Sequence, residues 1–271
     1  METRVVEIGE AHIHAEASGT GEPVVLLHTG ITDRRMWDSQ VPSFEEAHRA
    51  VRYDARGYGN TRAPPEPYAP HEDLFAVMDA FGIARAHLVG ASMGGATAID
   101  AALTEPQRVA SLVLAAPGLA GYSFTDAPTA SRWPIIEAAY EKGDYDRVVE
   151  LEMEMWVAGP RRRLADVDPR IVVKVRVMLR SSYPASAKFE LRRPEPPALE
   201  RLGAIEAPTL VVVGDADVPD MLRIADTVTA QVPRARKVVI SGVAHLPNME
   251  RAAEFNALVL GHLDRVAEER A

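Results

Sequence analysis

A serine, an aspartate and a histidine that could together activate a nucleophile occur in this order along the sequence. Ser92 is the central residue of a Gly-x-Ser-x-Gly pentapeptide at positions 90–94, and Asp217 and His245 follow it. A serine hydroxyl is too weak an acid to attack a carbonyl carbon unaided at neutral pH, so it needs an adjacent base. A histidine can be that base, and a carboxylate fixes its tautomer and stabilises its charged form. We therefore predict that Ser92 is a nucleophile, His245 its base and Asp217 the acid that orients the base.

Each of these three residues comes shortly after an apolar segment that is typical of a buried strand. The segments are residues 86–89, 209–213 and 237–240. In an open α/β sheet, ligands bind outside the carboxyl ends of the parallel strands, so side chains that follow different strands can meet there. The glycines two positions before and after the serine allow a tight turn from strand to helix, which exposes the hydroxyl.

A second aspartate competes with Asp217 for the orienting role. Asp215 is two residues closer to the preceding strand and directly follows Gly214. The additional residues before Asp217 carry its side chain farther onto the loop, toward the histidine turn. We favour Asp217 and keep Asp215 as the alternative.

A histidine, a threonine and a glycine directly follow the apolar segment 23–27, which is another predicted strand. These residues are His28, Thr29 and Gly30. Attack on a carbonyl carbon places negative charge on the former carbonyl oxygen, and backbone N–H groups aimed at that oxygen stabilise it. We predict that the amides of Gly30 and of Met93, the residue after the serine, form this oxyanion hole.

The predicted strands and helices that position these residues are those of an α/β protein. Short apolar runs alternate with helix-like segments, a pattern that predicts a mostly parallel central sheet flanked by helices on both faces. Residues 121–197 break this rhythm with three helix-like stretches, at 134–141, 145–157 and 169–180. We predict a core formed by residues 1–120 and 198–271, with residues 121–197 as a helical lid (cap) inserted between the sixth and seventh core strands. The predicted substrate pocket includes His28, Thr29, Trp37, Met153 and Trp156.

Composition and charge exclude several other classes of protein. The 271 residues carry a formal net charge of −9, so we expect no nucleic-acid partner, and there is no cysteine to form disulfides or thiolate metal sites. Two histidines on one predicted strand, His12 and His14, lack a third ligand at suitable spacing, so we expect no metal site. The N-terminal segment does not resemble a secretory signal and no apolar stretch approaches the length of a membrane span, which predicts a cytoplasmic protein without a membrane partner.

The sequence resembles the α/β-hydrolase superfamily, most closely the bacterial 3-oxoadipate enol-lactonases and non-haem haloperoxidases. The resemblance lies in residues 28–30, 36–37, 53–59, 90–94, 214–217 and 242–250. It implies the α/β-hydrolase fold and a cofactor-free serine hydrolase. Thr29 stands where most relatives have a glycine, and Ser92 stands where the dehalogenase relatives have an aspartate.

The residues and the resemblance together predict hydrolysis of a small-molecule carboxylic ester or lactone through an acyl-enzyme intermediate. Two alternatives use the same three residues: hydrolysis of a carbon–carbon bond in a vinylogous diketone, and cofactor-free perhydrolysis, in which hydrogen peroxide intercepts the acyl-enzyme. A non-catalytic ligand receptor on the same fold is the alternative outside enzymes. The sequence leaves the identity of the substrate and the oligomeric state open.

Overall fold

A single eight-stranded sheet forms the centre of the protein, whose computed structural model describes residues 1–186 and 189–270. The strands are β1 Glu2–Ile8, β2 Ala11–Ser18, β3 Glu22–Leu27, β4 His48–Tyr53, β5 Ala86–Ala91, β6 Val109–Ala115, β7 Thr209–Gly214 and β8 Ala235–Ile240. Their order across the sheet is β1-β2-β4-β3-β5-β6-β7-β8. The pairs β1·β2 and β2·β4 are antiparallel and the remaining pairs are parallel, which confirms the predicted mostly parallel sheet.

The sequence of each strand reflects its place in the sheet. Every residue of β5, β6 and β7 is buried, because helices cover both faces of the sheet centre and leave no strand position in water. At the sheet edge, β1 is mostly exposed and β2 partly so. The continuous apolar runs therefore identify the central strands, whose carboxyl ends carry the candidate site.

Ten α-helices occur in the part of the chain that the structure describes. They are α1 Val41–Phe44, α2 Pro70–Ala80, α3 Met93–Thr104, α4 Ala127–Ala130, α5 Trp133–Glu141, α6 Tyr145–Glu152, α7 Pro169–Ser182, α8 Pro219–Gln231, α9 Pro247–Glu250 and α10 Ala252–Glu268. Of these, α4 to α7 lie between β6 and β7 in the chain, where the sequence predicted a helical insertion. Its action as a lid stays a prediction. No helix within residues 1–186 or 189–270 has both the length and the apolar character needed to cross a membrane.

One predicted helix has a different geometry. The sequence predicted a continuous helix over 145–157, whereas α6 ends at Glu152 and a π-helix follows over Met153–Ala158. A π-helix has more residues in each turn than an α-helix. Over so short a segment the spacing of apolar residues does not distinguish the two, so the sequence did not predict the π-helix. Such segments often occur at functional sites, and this one ends beside the candidate histidine.

Candidate active site

Ser92 lies at the sharp turn between β5 and α3, in a strained backbone conformation. Its φ is 48° and its ψ is −111°, a region that non-glycine residues rarely adopt. Its amide donates to the carbonyl of Ala115 at 3.0 Å. Both flanking glycines are sterically required: a Cβ at Gly94 would lie 2.3 Å from the Leu27 carbonyl oxygen, and one at Gly90 would lie 2.4 Å from the carbonyl oxygen of Gly94. The surrounding chain therefore holds Ser92 in this turn.

His245 contacts the carboxylate that was predicted to orient it. Its Nδ1 donates to Asp217 Oδ2 at 2.8 Å, and the other oxygen of Asp217 accepts from the amide of Val218 at 2.8 Å. Both side chains are almost completely buried, at 2% and 0% exposed. The histidine ring packs on Trp156 with 4.5 Å between ring centroids, and the His245 amide donates to the Trp156 carbonyl at 3.3 Å. The imidazole is thus fixed by the carboxylate and by the π-helix.

The alternative acid, Asp215, has another role. Its carboxylate accepts from the Gly242 amide at 2.7 Å and from the Ser241 hydroxyl at 2.9 Å. The bonds from Gly242 and Ser241 lower the pKa of Asp215 below its usual range. Asp215 therefore braces the turn that precedes His245, while the structure places Asp217 against the histidine ring.

The loop after β3 and the start of α3 bring two backbone amides to the serine. Gly30 and Met93 line the same cavity as Ser92. In residues 1–186 and 189–270, neither amide donates a hydrogen bond to a protein acceptor. The Met93 amide also lies at a helix N-terminus, where the helix dipole favours negative charge. Both amides are therefore available to an oxygen atom of a ligand.

His28 and Thr29 brace this loop from inside. His28 Nδ1 donates to the Thr29 carbonyl at 2.7 Å, and its Nε2 accepts from the Ala55 amide at 3.0 Å. Burial lowers the pKa of His28, which agrees with a neutral ring that has one donor and one acceptor. The Thr29 hydroxyl accepts from the Ile31 amide at 3.2 Å and bonds the Thr32 hydroxyl at 2.9 Å. The Thr29 side chain thus stabilises the loop by hydrogen bonds that a glycine could not form.

Ser92 and His245 open into one cavity of about 340 Å³. Its other lining residues are Thr29, Gly30, Ile31, Met93, Ala96, Gly118, Leu119, Ala120, Phe124, Trp133, Glu152, Trp156, Arg193 and Met221. Of the five residues predicted for the pocket, the structure places Thr29 and Trp156 on the cavity wall. It places His28, Trp37 and Met153 elsewhere, and we drop them from the proposed pocket. Trp37 is completely buried against Phe255, and Met153 is completely buried in the hydrophobic core, since an apolar side chain in sequence does not reveal which way it points.

Sequence reasoning missed two charged residues of the cavity wall, Glu152 and Arg193. Glu152 Oε2 accepts from the Tyr183 hydroxyl at 2.8 Å, and burial raises the pKa of Glu152 to about 7. Arg193 donates to Asp100, a buried residue of α3, at 2.5 Å. One signal was available for Glu152: it lies four residues after the buried Val148, a spacing that puts both on the same face of α6.

A buried carboxylate at the start of α8 ties the chain after β6 to the core. Asp220 accepts from the hydroxyl of Tyr122 at 2.9 Å, from the amides of Thr125 and Asp126 at 3.0 and 2.8 Å, and from Arg223 at 2.7 Å. Burial opposes its charge, but these hydrogen bonds outweigh burial and lower the pKa of Asp220 to about 2. The segment that leads into the helical insertion is therefore anchored three residues after Asp217.

A metal site was not expected, and His12 and His14 were the weak candidates. Among the residues that the structure describes, no group of three or more histidine, aspartate or glutamate side chains is arranged to hold a metal ion. The side chain of His12 is exposed, and His14 lies 3.3 Å from Glu16.

Proteins similar to this chain are found among known hydrolases. The chain is 31% identical to a 2-hydroxy-6-oxononadienedioate/2-hydroxy-6-oxononatrienedioate hydrolase of Burkholderia vietnamiensis, over 96% of this chain and 94% of that protein. It is 24% identical to 3-oxoadipate enol-lactonase 1 of Acinetobacter baylyi, with 90% of each chain covered. A solved structure of an N-acyl homoserine lactone degrading enzyme matches with a TM-score of 0.76 and 26% identity, over 95% of this chain and 99% of that one.

The match to the family as a whole extends over most of the chain. The sequence model of the alpha/beta hydrolase family covers residues 24–258, from the strand before the predicted oxyanion loop to the helix after the candidate histidine. The fold agrees with the resemblance seen in the sequence. The chain belongs to the alpha/beta hydrolase family.

Proposed function

We propose that the protein is a serine hydrolase that cleaves a carboxylic ester or lactone through an acyl-enzyme intermediate. Ser92 is the nucleophile, His245 the general base and Asp217 the residue that orients the base. The observation that carries the proposal is the 2.8 Å bond from His245 Nδ1 to Asp217, in a histidine that shares a cavity with the strained Ser92 turn. The bond engages one ring nitrogen of His245 and leaves the other to exchange a proton with Ser92.

The reaction proceeds in two halves on these residues. His245 accepts the Ser92 proton as the Ser92 oxygen attacks the carbonyl carbon, and the amides of Gly30 and Met93 bind the resulting oxyanion. Each such donor contributes about 3–4 kcal/mol to stabilisation of the transition state. Collapse of the tetrahedral intermediate breaks the ester bond, and His245 returns the proton to the leaving alcohol. Water then attacks the acyl-enzyme by the same route and releases the acid.

The cavity supports a small and largely apolar substrate. Its volume of about 340 Å³ lies at the lower end of the usual range for small-molecule sites. Residues of the helical insertion (121–197) supply the aromatic wall through Phe124, Trp133 and Trp156. We therefore assign the choice of substrate to this insertion, in agreement with its proposed role as a lid. Relatives whose names specify a lactone favour lactones among the first substrates to test.

A substitution of the nucleophile tests this function. Wild-type protein should hydrolyse p-nitrophenyl acetate or a small lactone, and Ser92→Ala should abolish turnover while the circular dichroism spectrum stays unchanged. An alkyl phosphonate should label Ser92. Ser131→Ala is the matched control, because Ser131 is exposed and bonds only a neighbouring carbonyl within the described chain. Full activity in Ser92→Ala, or inactivation by a label at another residue, would refute the assignment.

Carbon–carbon bond hydrolysis is the second candidate, and a specific observation favours it. Such a reaction needs hydrogen-bond donors that hold an enolate, and Arg193 brings a guanidinium to the cavity wall, with one of its nitrogens bonded to Asp100. The 31% identical relative also points to this class of substrate. Turnover of a vinylogous diketone acid at a higher kcat/KM than any ester or lactone would establish this candidate over the first.

A further inference from the structure

Glu152 is an unusual residue for the wall of this cavity. It is the last residue of α6, and its neighbours Val148, Val149 and Leu151 are buried. An ionisable group on the buried face of a helix costs free energy unless it is hydrogen-bonded or serves a ligand. Glu152 lines the cavity, so it is placed to bind a ligand.

In the described part of the chain, Glu152 has one hydrogen-bond donor and no paired cation. The Tyr183 hydroxyl donates to Oε2, and burial, with the charges of Tyr68 and Glu152, raises the pKa of Tyr58. Arg193 lines the same cavity, but it donates to the buried Asp100. No arginine, lysine or histidine in residues 1–186 and 189–270 forms an ion pair with Glu152. The second carboxyl oxygen of Glu152 is therefore open to a hydrogen bond from a ligand.

The position of Glu152 decides which part of a substrate it meets. Glu152 is half-buried and lines the same cavity as Ser92. In an acyl-enzyme the alcohol has left and the acyl chain remains attached to Ser92. The acyl chain is therefore the part of the substrate that stays in the cavity that Glu152 lines.

We propose that Glu152, held by Tyr183, is a specificity-determining residue that binds an uncharged hydrogen-bond donor, such as a carboxamide or hydroxyl group, on the acyl chain of the substrate. This inference rests on the proposed ester-hydrolase function. The same residue selects against acyl chains that end in a carboxylate, because the charged Glu152 repels a second carboxylate, and the positive charge of Arg193 on the same wall is balanced by the buried Asp100. Purely apolar chains leave the carboxyl group of Glu152 without a ligand partner and bind less well.

Three aryl esters of matched chain length test the proposal. They are p-nitrophenyl heptanoate, mono-p-nitrophenyl adipate and the terminal carboxamide of that adipate ester. At about pH 8, above the pKa of about 7, wild-type kcat/KM should be highest for the carboxamide and lowest for the adipate. Each step should be about tenfold, as expected when one buried polar group gains or loses its partner.

Two substitutions of Glu152 separate hydrogen bonding from charge. Glu152→Leu should remove the preference for the carboxamide over the heptanoate. Glu152→Gln, which retains an oxygen for Tyr183, should retain much of that preference and raise kcat/KM for the adipate about tenfold relative to the heptanoate. The matched control is Glu141→Gln, an exposed carboxyl at the end of α5, which should leave all three ratios unchanged.

The outcomes distinguish this inference from the proposed function. If wild-type protein hydrolyses neither p-nitrophenyl acetate nor these probes, the ester-hydrolase proposal itself is wrong. If it hydrolyses them and the ratios among the three probes are the same in wild type, Glu152→Leu and Glu152→Gln, the role of Glu152 is refuted while the function stands. A wild-type preference for the adipate would overturn the inference equally.

Discussion

The Glu152 carboxyl should make the stability of the protein decrease as pH rises through the weakly acidic range. Burial raises its pKa from an ordinary 4.5 to about 7. Between these values the folded protein keeps a proton that the unfolded chain has lost, so the contribution of Glu152 to stability is greatest below pH 4.5 and falls until pH reaches about 7. Each pH unit of this interval is worth about 1.4 kcal/mol, which gives a loss of about 3 kcal/mol.

Glu152→Gln isolates this effect, because glutamine does not ionise and still offers an oxygen to Tyr183. Urea denaturation of both proteins between about pH 4.5 and 8 gives the free energy of unfolding, and every other titrating group cancels in the difference. We expect the variant to gain about 3 kcal/mol relative to wild type as pH rises. The exposed Glu141→Gln should give no such trend. A difference between Glu152→Gln and wild type that does not change with pH would show that the carboxyl is not held in its neutral form by burial.

Three further substitutions test the site and its supports. Asp217→Asn should lower kcat on a p-nitrophenyl ester by about 10⁴, whereas Asp215→Asn should cost far less, and equal losses would contradict the assignment. Gly94→Ala should reduce the free energy of unfolding in urea by about 1–3 kcal/mol or more, since its Cβ meets a backbone carbonyl at 2.3 Å, while Gly261→Ala, where nothing lies within 4 Å, should not destabilise. Asp220→Asn places an amide donor opposite backbone amides and should cost about 2–4 kcal/mol in the same assay; an unchanged midpoint would show that these bonds do not anchor the chain.

The sequence predicts the fold well because the central strands are buried on both faces. An apolar run such as Leu112–Ala115 appears in the sequence because water reaches neither face of β6. The predicted order of serine, aspartate and histidine likewise corresponds to the ends of β5, β7 and β8, where parallel strands must bring their following loops to one edge. The local apolar pattern and the order of residues along the chain are therefore enough to predict the sheet and the three candidate catalytic residues.

The wall of the cavity depends on contacts that sequence spacing does not contain. Arg193 reaches its partner Asp100 across 93 positions, and Tyr183 reaches Glu152 across 31. Trp37 and Trp156 look alike in sequence, yet one packs in the core and the other lines the cavity. The direction of each side chain depends on how the helical insertion packs on the sheet, and no period in the sequence encodes that packing.

A continuous set of contacts joins the helical insertion to the candidate histidine. Asp220 accepts a hydrogen bond from Tyr122, whose ring centroid lies 6.1 Å from that of Phe124. The ring centroid of Trp156 lies 6.4 Å from that of Phe124 and 4.5 Å from that of His245. Trp156, which shapes the cavity, therefore also supports the imidazole, with Phe124 packed against it. A substitution that widens the cavity at Trp156 removes packing from the base, whereas one at Glu152 changes the polarity of the wall and leaves the contacts between Trp156 and His245 in place. Substrate preference can thus change more freely at Glu152 than at the aromatic wall.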